Sequence, residues 1–168
     1  MGRYRPAAPP KSPYITRSGY RKLQAEQQDL WKKRREVVQH LAAAAAEGDR
    51  SENAEYIYRK KQLREMDRRI RYLQKRLPHL KVVDQIPDTN RQVFFGAWVT
   101  LADEAGTEVR YRIVGADEFD PRQNWISVDS PMARALLTRR VDERISLDLP
   151  NGRIAYEILQ VEYQVEGD

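Results

Sequence analysis

The sequence predicts an α+β protein: a long antiparallel α-helical coiled-coil hairpin, then a small antiparallel sheet domain with one short helix. Three observations carry this. Apolar residues recur at alternating spacings of three and four on both sides of a break at Gly48, and beyond Leu80 the pattern changes to short β-branched runs separated by turn residues. Charge divides along the same line: residues 1–78 hold 20 Lys/Arg against 9 Asp/Glu, net +11, whereas residues 79–168 hold 10 against 16, net −6. Two modules with two different partners is the simplest reading, a polyanion for the basic half and a basic protein surface for the acidic half, although acidity also serves solubility alone.

In chain order, residues 1–13 carry Pro6, Pro9, Pro10 and Pro13 with Arg3, Arg5 and Lys11, the composition of a disordered basic tail. Thr16 or Ser18 can cap a first helix that runs to about position 47. Tyr20, Leu23, Gln27, Leu30, Arg34, Val37, Leu41 and Ala44 form its seam, which Gln27 and Arg34 interrupt. Such a helix is about 45 Å long, more than a domain of this size needs, which suggests a rod that reaches into something. Tyr56, Leu63, Met66, Ile70, Leu73 and Leu77 make the matching stripe of a second helix, which Pro78 should stop. The alanines from Ala42 to Ala46 keep one end slim, while Leu30, Trp31, Leu73 and Leu77 thicken the other. Coiled coil is thus expected over 14–79, a linker over 80–91 and a globular domain over 92–168.

In that domain, Val93 to Leu101 and Val109 to Val114 read as strands joined by Asp103-Glu104-Ala105-Gly106-Thr107. Trp125-Ile126-Ser127-Val128 is a further strand, and Ser130-Pro131 offers an N-cap with Pro at the first helical position, opening a short helix over 132–137. Ile145 to Leu149, the turn Pro150-Asn151-Gly152 and Ile154 to Tyr163 close the domain as a hairpin.

The absence of cysteine excludes disulfides and Cys-based zinc sites, and His40 and His79 lie too far apart in a hairpin for a His-rich metal site. No apolar run approaches the ~20 residues of a membrane span, nor does the N-terminus hold a signal-peptide core. A soluble cytoplasmic protein is expected, without a membrane partner. It is expected to be a monomer, since a hairpin satisfies its own seam.

The stretch Gly48-Asp49-Arg50-Ser51-Glu52-Asn53-Ala54-Glu55-Tyr56 lies at the tip of the hairpin. Gly48 can end the first helix at positive φ, and Asp49 or Ser51 can cap the next. Asp49-x-x-Glu52 has the spacing of a capping box, so these carboxylates have a purely structural reading. They also make a carboxylate cluster at the end of a rod, a plausible chemical tool. Arg50, Arg59, Lys60, Lys61 and Arg64 fall within about 20 Å of Glu52 along the helix, placed to neutralise a phosphodiester strand that approaches the carboxylates.

The tip, together with Ile113-Val114-Gly115 and the run Ile126-Ser127-Val128-Asp129-Ser130-Pro131-Met132-Ala133-Arg134-Ala135-Leu136-Leu137, resembles the bacterial Gre transcript-cleavage factors over about 14–163. Arg50, Arg59-Lys60-Lys61 and Phe94-Phe95-Gly96-Ala97-Trp98-Val99 are similar to the GreB type. The resemblance implies an N-terminal coiled coil with a C-terminal FKBP-like domain. It implies binding to bacterial RNA polymerase, where the globular domain holds the coiled coil of the largest subunit at the rim of the secondary channel. Asp129, Ser130 and Pro131 carry over as that contact. It implies further that the rod meets the nascent RNA 3′ end of a backtracked complex and stimulates its cleavage. Asp49 would help hold a second Mg²⁺ bound jointly with the polymerase, and Glu52 would orient or deprotonate the attacking water. Ser51, Asn53, Glu55 and Tyr56 would support the tip.

Two carboxylates cannot make a tight Mg²⁺ site, so the isolated protein is expected to hold no cofactor and to be a co-catalytic factor, not an enzyme. The alternatives are a channel-occupying inhibitor without cleavage activity, a prolyl isomerase on fold analogy alone, and a free nucleic-acid binder.

Overall fold

The computed structural model describes residues 6–48 and 53–165. The fold is α+β, as expected, and divides into two units. Tyr20–Leu80 form the helical unit. The described residues up to Gly19 group with those from Lys81 onward in the sheet unit, so the start of the chain belongs with the globular half.

Helix α1 is Arg17–Ala46 and helix α2 is Ala54–Arg76, followed by a 3₁₀ turn, Leu77–His79, with Pro78 near its start. Thr16, not Ser18, caps α1: its hydroxyl accepts the Gly19 N–H at 3.0 Å. The seam follows its 3-4 spacing, since every seam position of α1 is at least half-buried and Leu23, Val37 and Ala44 are fully so. On α2, Met66, Ile70 and Leu73 are buried. The polar interruption Arg34 is paired across the helices, its Nε 2.7 Å from Asp67 Oδ1, and beside the seam Arg69 grips both oxygens of Glu26 at 2.6 and 3.0 Å. Trp31 departs from expectation. It is 38% exposed, with the Arg34 guanidinium 6.0 Å from its ring centre, and so does not thicken the seam.

In the sheet unit, strands β1 (Tyr14–Ile15) and β2 (Lys81–Val82) pair in parallel. The five-stranded sheet contains β3 (Trp98–Asp103), β4 (Glu108–Val114), β5 (Trp125–Ser127), β6 (Arg144–Leu149) and β7 (Gly152–Glu162), in the order β5-β4-β3-β7-β6. The sheet is antiparallel except for β4 and β5, which run parallel with Ile113 opposite Ile126. This exception to the expected antiparallel sheet arises because the chain crosses from β4 to β5 through a loop and a 3₁₀ turn, Pro121–Gln123, not through a hairpin. Helix α3 (Pro131–Leu136) starts on Ser130, whose hydroxyl accepts the Ala133 N–H at 3.2 Å, and buries Ala133 and Leu136. These join Val99, Leu101, Ile113 and Ile158 in one core.

The first expected strand is shorter than its apolar run. The regular strand starts only at Trp98 because Gly96 turns at φ +87°: the Gly96 N–H and the Ala97 carbonyl still bond Ile113 of β4, at 2.8 and 3.0 Å, whereas the backbone of Val93 pairs with the Arg139 carbonyl and the Thr138 N–H. Residues expected as tail and linker are also tied in. Pro13 O accepts the Lys81 N–H at 2.8 Å, Ile15 O accepts the Val83 N–H at 2.9 Å, and Arg17 pairs with Asp84. No helix among the described residues is long and apolar enough to cross a membrane.

Candidate functional site

The tip begins where α1 stops. Gly48 has φ +134°, open space around its Cα, and no side chain to strain there. Asp49, Arg50, Ser51 and Glu52 lie outside the described residues, and the chain is described again from Asn53. The N-cap of α2 is Asn53, not Asp49 or Ser51. Its Oδ1 accepts the Tyr56 N–H at 3.1 Å, and its Nδ2 donates to the Ala44 carbonyl at 2.8 Å. One amide therefore satisfies an orphan donor of α2 and a terminal carbonyl of α1. Glu55 lies in the first turn of α2, where a carboxylate favours the positive helix end.

The expected phosphate-binding group separates into two kinds of residue. Arg59 continues the seam between Tyr56 and Leu63, and its side chain is 24% exposed. Its Nε donates to Glu55 at 2.8 Å, another of its nitrogens to Gln62 at 3.1 Å, and its guanidinium lies 5.4 Å from the Tyr58 ring centre. Lys60, Lys61 and Arg64 are exposed, Lys60 with its ammonium 5.8 Å from the Tyr56 ring centre. Lys61 and Arg64 open a stripe that continues with Arg68, Arg71 and Lys75, all exposed and spaced three and four apart. This stripe is offset from the seam, so it forms an outward cationic track along α2. Arg50 lies outside the described residues.

In the sheet unit, Asp129, Ser130 and Pro131 form the entry to α3. Ser130 is the cap, Pro131 the first helical residue, and Asp129 donates its N–H to Ser127 Oγ at 3.1 Å. Ser12 donates its N–H to Asp129 Oδ2 at 2.8 Å and its hydroxyl to Oδ1. Nearby, the buried carboxylate of Glu118 accepts the Thr16 N–H at 3.0 Å, the Thr16 hydroxyl and the Gly115 N–H at 2.8 Å. Sequence reasoning misses both clamps. The partners lie 117 and 102 positions apart, and no local pattern announces either. Among the described residues no group of three or more acidic, His or Cys side chains is arranged to hold a metal ion.

Family comparisons cover both units. The model described as "Transcription elongation factor, N-terminal" matches residues 13–82, and that described as "Transcription elongation factor, GreA/GreB, C-term" matches 88–163. A transcription elongation factor GreB from Xanthomonas axonopodis pv. citri is 56% identical over 97% of this chain and 98% of its own length. Its counterpart from Pasteurella multocida is 56% identical over 92% and 98%. The solved structure of Thermus aquaticus Gfh1, 24% identical, spans 90% of this chain and 99% of that one with a TM-score of 0.42, an agreement too low to support a structural argument. With both units matched by the family and near-full-length relatives above half identity, the chain belongs to the GreA/GreB family of transcription elongation factors.

Proposed function

We propose that this Gre-type elongation factor enters the secondary channel of bacterial RNA polymerase and stimulates endonucleolytic cleavage of the nascent RNA 3′ end in backtracked complexes, rescuing arrested elongation. The observation that carries the reading is the cap of α2. The spacing Asp49-x-x-Glu52 has a structural use as a capping box, but Asn53 performs the capping at the end of the same connection. Two carboxylates within four residues, flanked by an outward cationic track, then fit a chemical role better than a helix-initiating one.

The division of labour follows from residue chemistry. Asp49 binds as a hard oxygen donor, and Glu52 orients or deprotonates the water that attacks the phosphodiester. Lys60, Lys61 and Arg64, with Arg50, neutralise the phosphates of the extruded strand. Asp49 suits Mg²⁺ in kind, but the two tip carboxylates are too few for its octahedral shell, so the polymerase supplies the remaining ligands. When bound there, Mg²⁺ supplies Lewis-acid polarisation at the phosphodiester and a more acidic water. The globular unit docks through Asp129, Ser130 and Pro131 on the coiled coil of the largest subunit at the channel rim, with one copy of the chain per polymerase. On this reading the protein is a co-catalytic factor of the cytoplasmic polymerase, not an enzyme in its own right.

The test is cleavage of labelled RNA in stalled, backtracked polymerase complexes with wild type, Asp49→Asn and Glu52→Gln. Wild type should release 3′ fragments, and each variant should lose about 100-fold or more of the stimulation while still binding polymerase. Equal activity in all three would assign the carboxylates a structural role. Binding by wild type without any cleavage would make the protein a channel-occupying inhibitor.

A further inference from the structure

The chain start and the docking motif meet at one carboxylate. Ser12 donates to both oxygens of Asp129, its N–H at 2.8 Å and its hydroxyl to the other oxygen, although the two residues lie 117 positions apart. Ser12 is itself anchored through the three residues after it. Pro13 O accepts the Lys81 N–H at 2.8 Å, and Tyr14 and Ile15 pair in register with Lys81 and Val82. The Tyr14 carbonyl then passes so close to Gly115 that a Cβ there would lie 2.2 Å from it. Asp129 is held from its own side as well, with its N–H on Ser127 Oγ at 3.1 Å and the next residue capping α3. Its side chain is half-buried and keeps part of its surface toward solvent.

We propose that Ser12 is a positioning residue for docking on RNA polymerase, holding the Asp129 carboxylate in one orientation for a cationic group on the partner. This rests on the docking reading of Asp129 given above. An aspartate free to rotate loses side-chain freedom when it docks, and a carboxylate already fixed on both oxygens loses less. Bonds to an ionised carboxylate are the stronger class of hydrogen bond, so the two donors from Ser12 hold the group firmly in one orientation. Ser12 touches no substrate in this account and acts through Asp129.

The experiment is a double-mutant cycle on binding of the full-length protein to RNA polymerase core enzyme, using Ser12→Ala, Ser12→Thr, Asp129→Ala and the Ser12→Ala/Asp129→Ala pair. Ser12→Ala should weaken binding about 5- to 10-fold, and Ser12→Thr, which keeps both donors, should bind like wild type. In the Asp129→Ala background, Ser12→Ala should change nothing further. If Asp129→Ala weakens binding and Ser12→Ala does not, the docking reading stands and the positioning role is refuted. An equal loss from Ser12→Ala in both backgrounds reduces Ser12 to a structural contact and overturns the proposal. Wild-type binding by Asp129→Ala overturns the docking reading, and the proposal with it.

Discussion

The side chain of Asn53 spans the two helices of the hairpin, donating to the Ala44 carbonyl of α1 at 2.8 Å while accepting the Tyr56 N–H of α2 at 3.1 Å. The four residues from Asp49 to Glu52 connect the two ends that this amide ties together. A short connection between two helices gains from such a tie, because its ends are fixed before any partner arrives.

Replacing Asn53 should therefore loosen the tip. Asn53→Ala removes both bonds and should cost about 1 kcal/mol, mostly through faster amide exchange in the first turn of α2. Asn53→Asp keeps the acceptor and loses the donor to Ala44, so exchange should fall between wild type and Asn53→Ala. Under the proposed function, cleavage stimulation should decline in the same order while polymerase binding holds. Unchanged exchange over residues 54–57 in Asn53→Ala would contradict the role of the tie.

The Glu118 clamp makes a second prediction. Glu118→Ala strands the Thr16 N–H and the Gly115 N–H, which the carboxylate now accepts in a buried setting, and leaves the Thr16 hydroxyl to Ser18 Oγ, 3.2 Å away. The loss should be about 3 kcal/mol in urea unfolding. Gly115→Ala should also destabilise the sheet unit, because the added Cβ meets the Tyr14 carbonyl oxygen, a backbone atom that cannot swing aside. A loss under about 0.5 kcal/mol for both would mean that the segment before α1 can leave the sheet unit at little cost.

How much the sequence discloses depends on how local each signal is. The α1 seam is legible because its 3-4 spacing is repeated over many turns, and its polar members Gln27 and Arg34 do not hide it. Arg59 is not legible as a seam residue, since its charge suggests phosphate contact while its aliphatic stem fits the stripe. Ser130-Pro131 announces α3 because caps are local. Ser12 and Glu118 announce nothing, because a partner more than 100 positions away leaves no trace in neighbouring residues. The strand expected from Val93 fails on Gly96, whose positive φ outweighs the β propensity of the residues around it. The Asp49-x-x-Glu52 spacing shows the opposite limit: a local pattern can be genuine while another residue, Asn53, supplies the cap.

Tyr163 offers a pH test of the sheet unit. Its hydroxyl accepts the Phe94 N–H at 2.9 Å and donates to the Gln92 carbonyl at 2.6 Å. Burial raises the phenol above its ordinary value, opposed by the Phe94 N–H, which favours the phenolate. The folded state thus holds this proton more tightly than the unfolded chain does. Its contribution is complete below the ordinary tyrosine pKa of about 10 and declines as pH rises through the folded value. Tyr163→Phe should lose about 1–2 kcal/mol at neutral pH and show a shallower decline in alkali. Identical alkaline profiles for the two proteins would place the titration elsewhere.

The cationic track separates residues that the sequence groups together. Arg59 lies on the seam, bonded to Glu55 and Gln62, whereas Lys61 and Arg64 face outward. Arg59→Gln should lower stability by about 0.5 kcal/mol, the value of a half-exposed helical ion pair, with little change in the salt dependence of cleavage. Lys61→Gln/Arg64→Gln should leave the melting temperature near that of wild type. At low salt it should reduce cleavage stimulation about 10-fold, with the deficit narrowing as salt rises, because wild type then loses the phosphate contacts that the variant already lacks. The measurement is cleavage rate at two salt concentrations beside a thermal melt. Should Arg59→Gln alone produce the salt-dependent loss, the phosphates would be read from the seam side of α2, and the outward stripe would be only a solvated flank.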